Sequence, residues 1–300
     1  MTEHHPSKPF MTLRARTDPA WLEAQYNNRA LVPEHAQHFA RWAEASRLVR
    51  GKSAAHFDVA YGSGENEALD IFPAANAPGT SAPVLVFIHG GYWRSLDKAD
   101  FSFIAPALNA AGATVVLPNY ALCPSVGIEH IALQMTRAMA WVWRHAAQYG
   151  GDNARLGVVG HSAGGHLATL LLSCRWKDVD AEMPALPLNA VLSISGLYDL
   201  EPLRHVASLQ PDLQLTPAKV RRLSPAFFPR PKAGKLFATV GMDESDEFVR
   251  QNALIRDVWG PTAVPVCETL PGLNHFSVVE GLADARSRLY HLALRTVGLR

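Results

Sequence analysis

The sequence predicts an α/β fold built on a mostly parallel sheet, and three observations carry that expectation. From His56 onward, short β-branched apolar runs alternate with longer helical stretches. Six of those runs, PVLVFIHG, ATVVLPNY, RLGVVGHS, NAVLSISG, KLFATVG and AVPVCETL, have the length and unbroken apolar character of strands buried on both faces. Between two of them, Gly127 to Gly150 sets Ile128, Ile131, Ala132, Met135, Ala138, Met139, Val142 and Ala146 along one stripe of period 3.6, suited to lying on a sheet.

In chain order, residues 1–55 come first. WLEAQYNNRALVPEHAQHFARWAEASRLVRG is helical in texture and aromatic, without strand-like runs, so this segment is expected to be helical and to pack on the main body. The main domain then spans 56–300. It opens with HFDVAYG and ALDIFP, which pair as antiparallel edge strands, and continues through the parallel strands and their crossovers. Residues 198–231, rich in Pro, Leu and Arg, break the alternation. They read as a small helical cap inserted over the carboxyl ends of the strands, where ligands bind in such sheets.

Composition narrows the function classes. An apolar fraction of 48% with 18% charged residues in a chain of 300 is that of a globular protein, not a disordered one. With 28 basic and 27 acidic side chains the net charge is +1, and the basic residues are scattered, so neither nucleic acid nor an anionic membrane is the expected partner. Cys123, Cys174 and Cys267 are far apart and odd in number, which fits a reducing compartment better than a disulfide framework or a zinc site. MTEHHPSKPF lacks the order of a signal peptide, and no apolar run approaches the roughly 20 residues that cross a bilayer. The expectation is a soluble cytoplasmic protein acting on a small molecule, with an edge strand that would permit a homodimer.

The chemistry concentrates at two glycine-rich turns. GHSAGG follows an apolar strand and opens a helix, so Ser162 sits where the chain must turn sharply. A strained turn of this kind thrusts its central side chain clear of the sheet, and Gly160 and Gly164 supply the small neighbours it needs. HGGYW follows PVLVFI. Its paired glycines let the backbone bend inward, and the amides of Gly90, Gly91 and Ala163 are candidates for an oxyanion hole.

A base and an orienting acid should follow in the chain. Of 13 histidines, His275 in LPGLNHFSVV has the right position, in a loop after the last strand. His161 and His166 flank the serine without facing its hydroxyl, and His89 is expected to orient the oxyanion loop. For the acid, Asp243, Glu244, Asp246 and Glu247 compete directly after a strand, with Asp199 an outside candidate.

Taken together, YNNRALVP, DVAYG with LDIFP, HGGYW, PNYALCPSVGIEHIALQM, VVGHSAGGHLA, SGLYDLEPL, ESDEFVRQN and NHFSVVE resemble the kynurenine formamidase (arylformamidase) branch of the α/β-hydrolases, close to the hormone-sensitive-lipase-like esterases. The resemblance runs from about Asp18 onward. It implies the α/β-hydrolase fold, Ser162 as nucleophile, His275 as base, and Glu244 as the acid, three residues past Gly241 and six before Arg250. The better-known members carry aspartate there, so Asp243 remains a substitute. It further implies a serine hydrolase of aryl formamides of the N-formylkynurenine type, with a place in tryptophan catabolism and no metal or organic cofactor. Such a substrate calls for an aromatic wall, for which Tyr92, Trp93, Tyr120 and Phe276, with Tyr198, are placed on suitable loops. A carboxylesterase of small or aryl esters is the rival. A hydrolase-fold binding protein without catalysis is a more distant one.

Overall fold

All eight apolar runs become strands of one sheet in a computed structural model, which describes residues 18–75 and 81–300. The N-terminal stretch read above for a leader lies outside the described residues. The strands are β1 (His56–Ala60), β2 (Ala68–Phe72), β3 (Ala82–Ile88), β4 (Thr114–Pro118), β5 (Gly151–His161), β6 (Leu188–Ile194), β7 (Lys235–Gly241) and β8 (Val266–Leu270). Their order across the sheet is β1-β2-β4-β3-β5-β6-β7-β8. β1 is antiparallel to β2 and β2 to β4, and every later pairing is parallel. The two runs read as edge strands therefore form the antiparallel margin of a parallel sheet.

β3 and β4 are buried at every position, which is why their sequences show no alternation. The alternation is instead between two apolar layers. Val84, Val86 and Ile88 of β3 enter one layer, while Leu85 and Phe87 enter the other. Each such side chain contributes about 1.5–3 kcal/mol on burial.

The first layer is covered by α1 (Pro19–Tyr26), α5 (Ile128–His145), α6 (Ala163–Leu171) and α10 (Asp246–Ala263); the second by α3 (His35–Arg50), α4 (Ala105–Ala110) and α12 (Arg288–Thr296). In α5 the stripe read from the sequence is the buried face, except that Ala132 is half-buried and Ala146 falls in the 3₁₀ turn that follows. Short helices α2 (Asn28–Leu31), α7 (Trp176–Val179), α8 (Gln210–Leu213), α9 (Pro217–Leu223) and α11 (Ser277–Glu280) complete the set.

Two contacts across the chain matter for the site. The Tyr26 hydroxyl in α1 donates to Glu247 Oε2 at 2.8 Å, and Gln251 Nε2 donates to that hydroxyl at 3.1 Å, so α1 is fixed to α10. Trp42 in α3 donates its indole N–H to Glu280 Oε1 at 3.0 Å, beside the loop that carries His275. Residues 198–231 lie between β6 and β7 as a 3₁₀ turn, α8, α9 and a second 3₁₀ turn. No helix among the described residues is long and apolar enough to cross a membrane.

Candidate active site

Ser162 closes β5 and opens α6 with φ 56° and ψ −117°, a conformation disfavoured for any side chain and costing about 1–3 kcal/mol. The glycines around it leave no room for alternatives. A Cβ on Gly160 would lie 2.1 Å from the Gly164 carbonyl oxygen, and one on Gly164 would lie 2.0 Å from the Ile88 carbonyl oxygen. The nucleophile-elbow geometry read from GHSAGG is thus enforced by backbone packed on backbone.

The turn aims the serine at His275. The Ser162 hydroxyl donates to His275 Nε2 at 3.1 Å, and His275 Nδ1–H donates to Glu244 Oε2 at 2.6 Å. Glu244 has no exposed side-chain surface. Its second oxygen accepts the Gly241 amide at 2.8 Å and the Ser195 hydroxyl. The neighbouring candidates point elsewhere. Asp243 is exposed; Glu247 pairs with Arg250 at 2.7 Å; Asp199 accepts the Glu201 amide, and burial pushes its carboxyl upward.

His161, His166 and His89 serve the scaffold. His161 Nε2–H donates to the His275 carbonyl oxygen at 2.9 Å and so steadies the loop. Burial, followed by the nearby His275, holds its imidazole well below the usual histidine range, so it stays neutral. His166 Nε2–H donates to the Leu223 carbonyl oxygen at 2.7 Å, tying α6 to the end of α9. His89 stacks on Tyr120, ring centroids 4.2 Å apart at 9°, and its Nε2–H donates to Asn119 Oδ1 at 3.1 Å.

HGGYW bends back toward the serine through residues that glycine makes possible. Gly90 packs so closely that a Cβ would lie 3.2 Å from Ser162 Cβ and 2.9 Å from the His161 carbonyl oxygen. Gly91 takes φ 105°, and a Cβ there would lie 2.1 Å from the Ser95 carbonyl oxygen. The Tyr120 hydroxyl is 2.9 Å from the His89 carbonyl oxygen and 3.2 Å from that of Gly90. A trans peptide places N–H opposite C=O, so holding the Gly90 carbonyl from behind turns the Gly91 amide the other way. Gly91 borders the cleft that contains Ser162. Ala163 is the first residue of α6, whose opening amides have no intrahelical acceptor.

The cleft holds about 270 Å³. Of the residues expected in an aromatic wall, Tyr92 and Phe276 border the cleft and three do not. Trp93 and Tyr120 have no exposed surface; Trp93 meets His166 edge-on at 5.0 Å and Tyr120 stacks on His89 at the start of the HGGYW loop. Tyr198 is equally buried and donates its hydroxyl to Ser193 Oγ at 2.8 Å. Large rings on loops bury more area beneath the turn than they could beside an open cleft, and that decides their place.

The rest of the wall comes from the N-terminal helices, whose part the sequence did not reveal, and from the segment read as a cap. Tyr26, Asn27, Asn28, Arg29, Phe39 and Trp42 enter from the N-terminal helices, and Ser208, Leu209 and Asp212 from the stretch between β6 and β7. The Tyr92 hydroxyl donates to the Tyr26 carbonyl oxygen at 2.8 Å, and Arg94 donates to Asp212 Oδ2 and the Ser208 carbonyl oxygen, each at 2.6 Å. The HGGYW loop is thereby tied to both flanks. For the N-terminal part of the wall, the one signal available beforehand was the aromatic density of QYNNRALVPEHAQHFARW. Among the described residues, no group of three or more His, Cys, Asp or Glu is arranged to hold a metal ion.

With this geometry in hand, comparison with known proteins places the chain. The family model described as BD-FAE matches residues 69–224, more than half of the sequence. The chain belongs to the BD-FAE family. Beyond that span, it is 29% identical over 290 residues to kynurenine formamidase of Danio rerio, covering 92% of this chain and 96% of the relative. It is 32% identical over 148 residues to the esterase LipC of Mycobacterium tuberculosis, covering 48% of this chain and 37% of that one. Among solved structures, a Silicibacter sp. tm1040 protein assigned as a thioesterase superposes with TM-score 0.79 at 29% identity, covering 91% of this chain and 98% of that one. Esterase B of Lactobacillus Rhamnosis superposes with TM-score 0.67 at 19% identity over 90% of this chain and 95% of its own, which speaks to fold alone. This BD-FAE family member has the α/β-hydrolase fold and is a hydrolase related to kynurenine formamidases and esterases.

Proposed function

We propose that the chain is a serine hydrolase that deformylates aryl formamides of the N-formylkynurenine type through a formyl-enzyme. The observation that carries this reading is the hydrogen-bonded line Ser162–His275–Glu244, with the serine strained out of its strand end toward the cleft. Full-length similarity to kynurenine formamidases supports the formamide as substrate.

Ser162 Oγ attacks the formyl carbon as its proton passes to His275 Nε2. Glu244 holds the ring in the tautomer that can accept it and stabilises the imidazolium. The amides of Gly90, Gly91 and Ala163 receive the oxyanion, each donor being worth about 10²–10³ in kcat. His275 then protonates the departing aryl amine nitrogen as its bond to carbon breaks. Water, deprotonated by the same imidazole, attacks the formyl ester; formate leaves, and the proton returns to Ser162.

A second reading, a carboxylesterase of small or aryl esters, is favoured by the esterase relatives, and uses the same residues with a different leaving group. The deciding experiment compares kcat/KM for N-formylkynurenine with that for 4-nitrophenyl acetate and butyrate, with Ser162→Ala as the blank. Deformylation that disappears in the variant is the expected result. Fast ester cleavage without deformylation would leave an esterase, and failure of an organophosphonate to label Ser162 would remove the acyl-enzyme itself.

A further inference from the structure

We propose that Arg29 reads a carboxylate on the leaving group, so that the cleft selects aromatic acyl donors bearing an anionic side arm. This rests on the hydrolase reading above.

Besides the titratable His161, His275, Tyr26 and Tyr92, three charged side chains border the cleft: Arg29, Arg94 and Asp212. Arg94 and Asp212 satisfy each other at 2.6 Å, which leaves Asp212 little capacity to attract a cation and Arg94 little to attract an anion. Arg29 has no carboxylate partner among the described residues. Its guanidinium rests against Phe39, the guanidinium carbon lying 5.6 Å from the ring centroid. A guanidinium resting against an aromatic ring keeps its in-plane N–H edges free, and those edges match a carboxylate in paired hydrogen bonds.

The location suits the substrate's geometry. Phe39 meets Phe276 edge-on at 5.2 Å, and Phe276 meets the His275 ring at 5.5 Å. Aromatic wall therefore runs from the base at the reacting centre to the guanidinium at the rim. An aryl leaving group lying along Phe276 and Phe39 would carry a substituent on its far end to Arg29. The backbone there is fixed: Asn27 Oδ1 caps α2 by accepting the Ala30 amide at 3.2 Å, and Asn28, beside Arg29, is buried. The alternative is an idle surface arginine packed on a phenylalanine, which contributes a little stability and nothing to selection.

The test uses two pairs of substrates in which one member bears a carboxylated side arm and the other none: phenyl acetate with (4-acetoxyphenyl)acetate, and formanilide with N-formylkynurenine, whose arm also carries an ammonium. Wild type, Arg29→Gln and Arg29→Lys are compared. The expected result is a loss of about tenfold in kcat/KM on the carboxylated members in Arg29→Gln, expressed in KM, the low end for hydrogen bonds to a charged group. The neutral members should change by less than about twofold on the same reasoning, since they make no such bond. Arg29→Lys should recover part of the loss, and the wild-type preference should shrink as salt is raised. Equal loss on charged and neutral members, or no loss on either, overturns the proposal. Discrimination in the ester pair without any formamide cleavage would sink the formamidase reading and keep this one. Formamide cleavage indifferent to Arg29 would do the reverse. If Arg29→Gln fails to fold, Arg29→Lys and the wild-type salt profile decide alone.

Discussion

Ser195 donates its hydroxyl to the Glu244 oxygen that faces away from His275, so the carboxylate that orients the imidazole is itself oriented from a neighbouring strand. Ser195 follows β6 with φ 52°, and its own amide donates to the Thr239 carbonyl oxygen in β7 at 2.7 Å, which fixes where the hydroxyl starts. Removing that donor should leave this oxygen held by the Gly241 amide alone. Ser195→Ala is expected to lower kcat about three- to tenfold, the scale of one hydrogen bond, with KM little changed.

Glu244→Gln should cost far more, about 10³- to 10⁴-fold in kcat, because the amide no longer fixes the productive tautomer of His275. Asp243→Asn should stay near wild type, since Asp243 is exposed and its neighbour holds the ring. Steady-state kinetics of the two variants side by side is the check. Loss at Asp243 with tolerance at Glu244 would reassign the acid.

Gly91 and Gly150 both take positive φ, 105° and 72°, but only Gly91 is also crowded. A Cβ at Gly150 would meet nothing within 4 Å, so Gly150→Ala should cost stability alone, about 1 kcal/mol. At Gly91 the methyl would collide with the Ser95 carbonyl, so the loop must move and its amide with it. Gly91→Ala should lower kcat about 10²- to 10³-fold, as for loss of an oxyanion donor. Thermal unfolding and kcat, measured on both variants, separate the two effects.

Tyr120→Phe tests whether the ring or the hydroxyl matters. The stack on His89 would survive, while the contacts to the His89 and Gly90 carbonyl oxygens would go. A fall in kcat of about tenfold at nearly constant KM is expected, from a loosened Gly91 amide. A change confined to KM would instead return Tyr120 to the substrate wall.

Residues close in sequence carried most of what could be read in advance. The strands announce themselves by unbroken apolar runs, and Gly160 and Gly164 are demanded by contacts made within one turn. The acid was harder: Asp243 and Glu244 are adjacent, and only the closed turn, with the Gly241 amide on the carboxylate, decides which side chain faces inward. The N-terminal wall was harder still. Tyr26 reaches the site because its hydroxyl meets Glu247, 221 residues away, and no local pattern encodes that pairing. Trp93 and Tyr120 were misplaced for a related reason: loop position does not tell whether a ring lines a cleft or fills the space below it.

Acid should weaken the fold before most carboxylates titrate. Burial pushes the His166 imidazole down to about 4, and burial with the nearby His275 carries His161 well below its ordinary range. In the unfolded chain both would titrate near 6.5. Between that value and the folded one, the unfolded state binds a proton that the native state refuses, so stability is full above about pH 6.5 and falls as pH drops toward 4. Each such histidine contributes a slope of about 1.4 kcal/mol per pH unit inside its window. Urea unfolding at several values between about pH 7 and pH 5 should show the decline, in a range where most carboxylates remain ionised. His166→Phe should be less stable at neutral pH, having lost its bond to the Leu223 carbonyl, yet show a shallower slope by about one histidine's share. Stability that is flat across the window, or a variant slope equal to that of wild type, would mean that His166 accepts a proton in place, with α6 and α9 yielding around it.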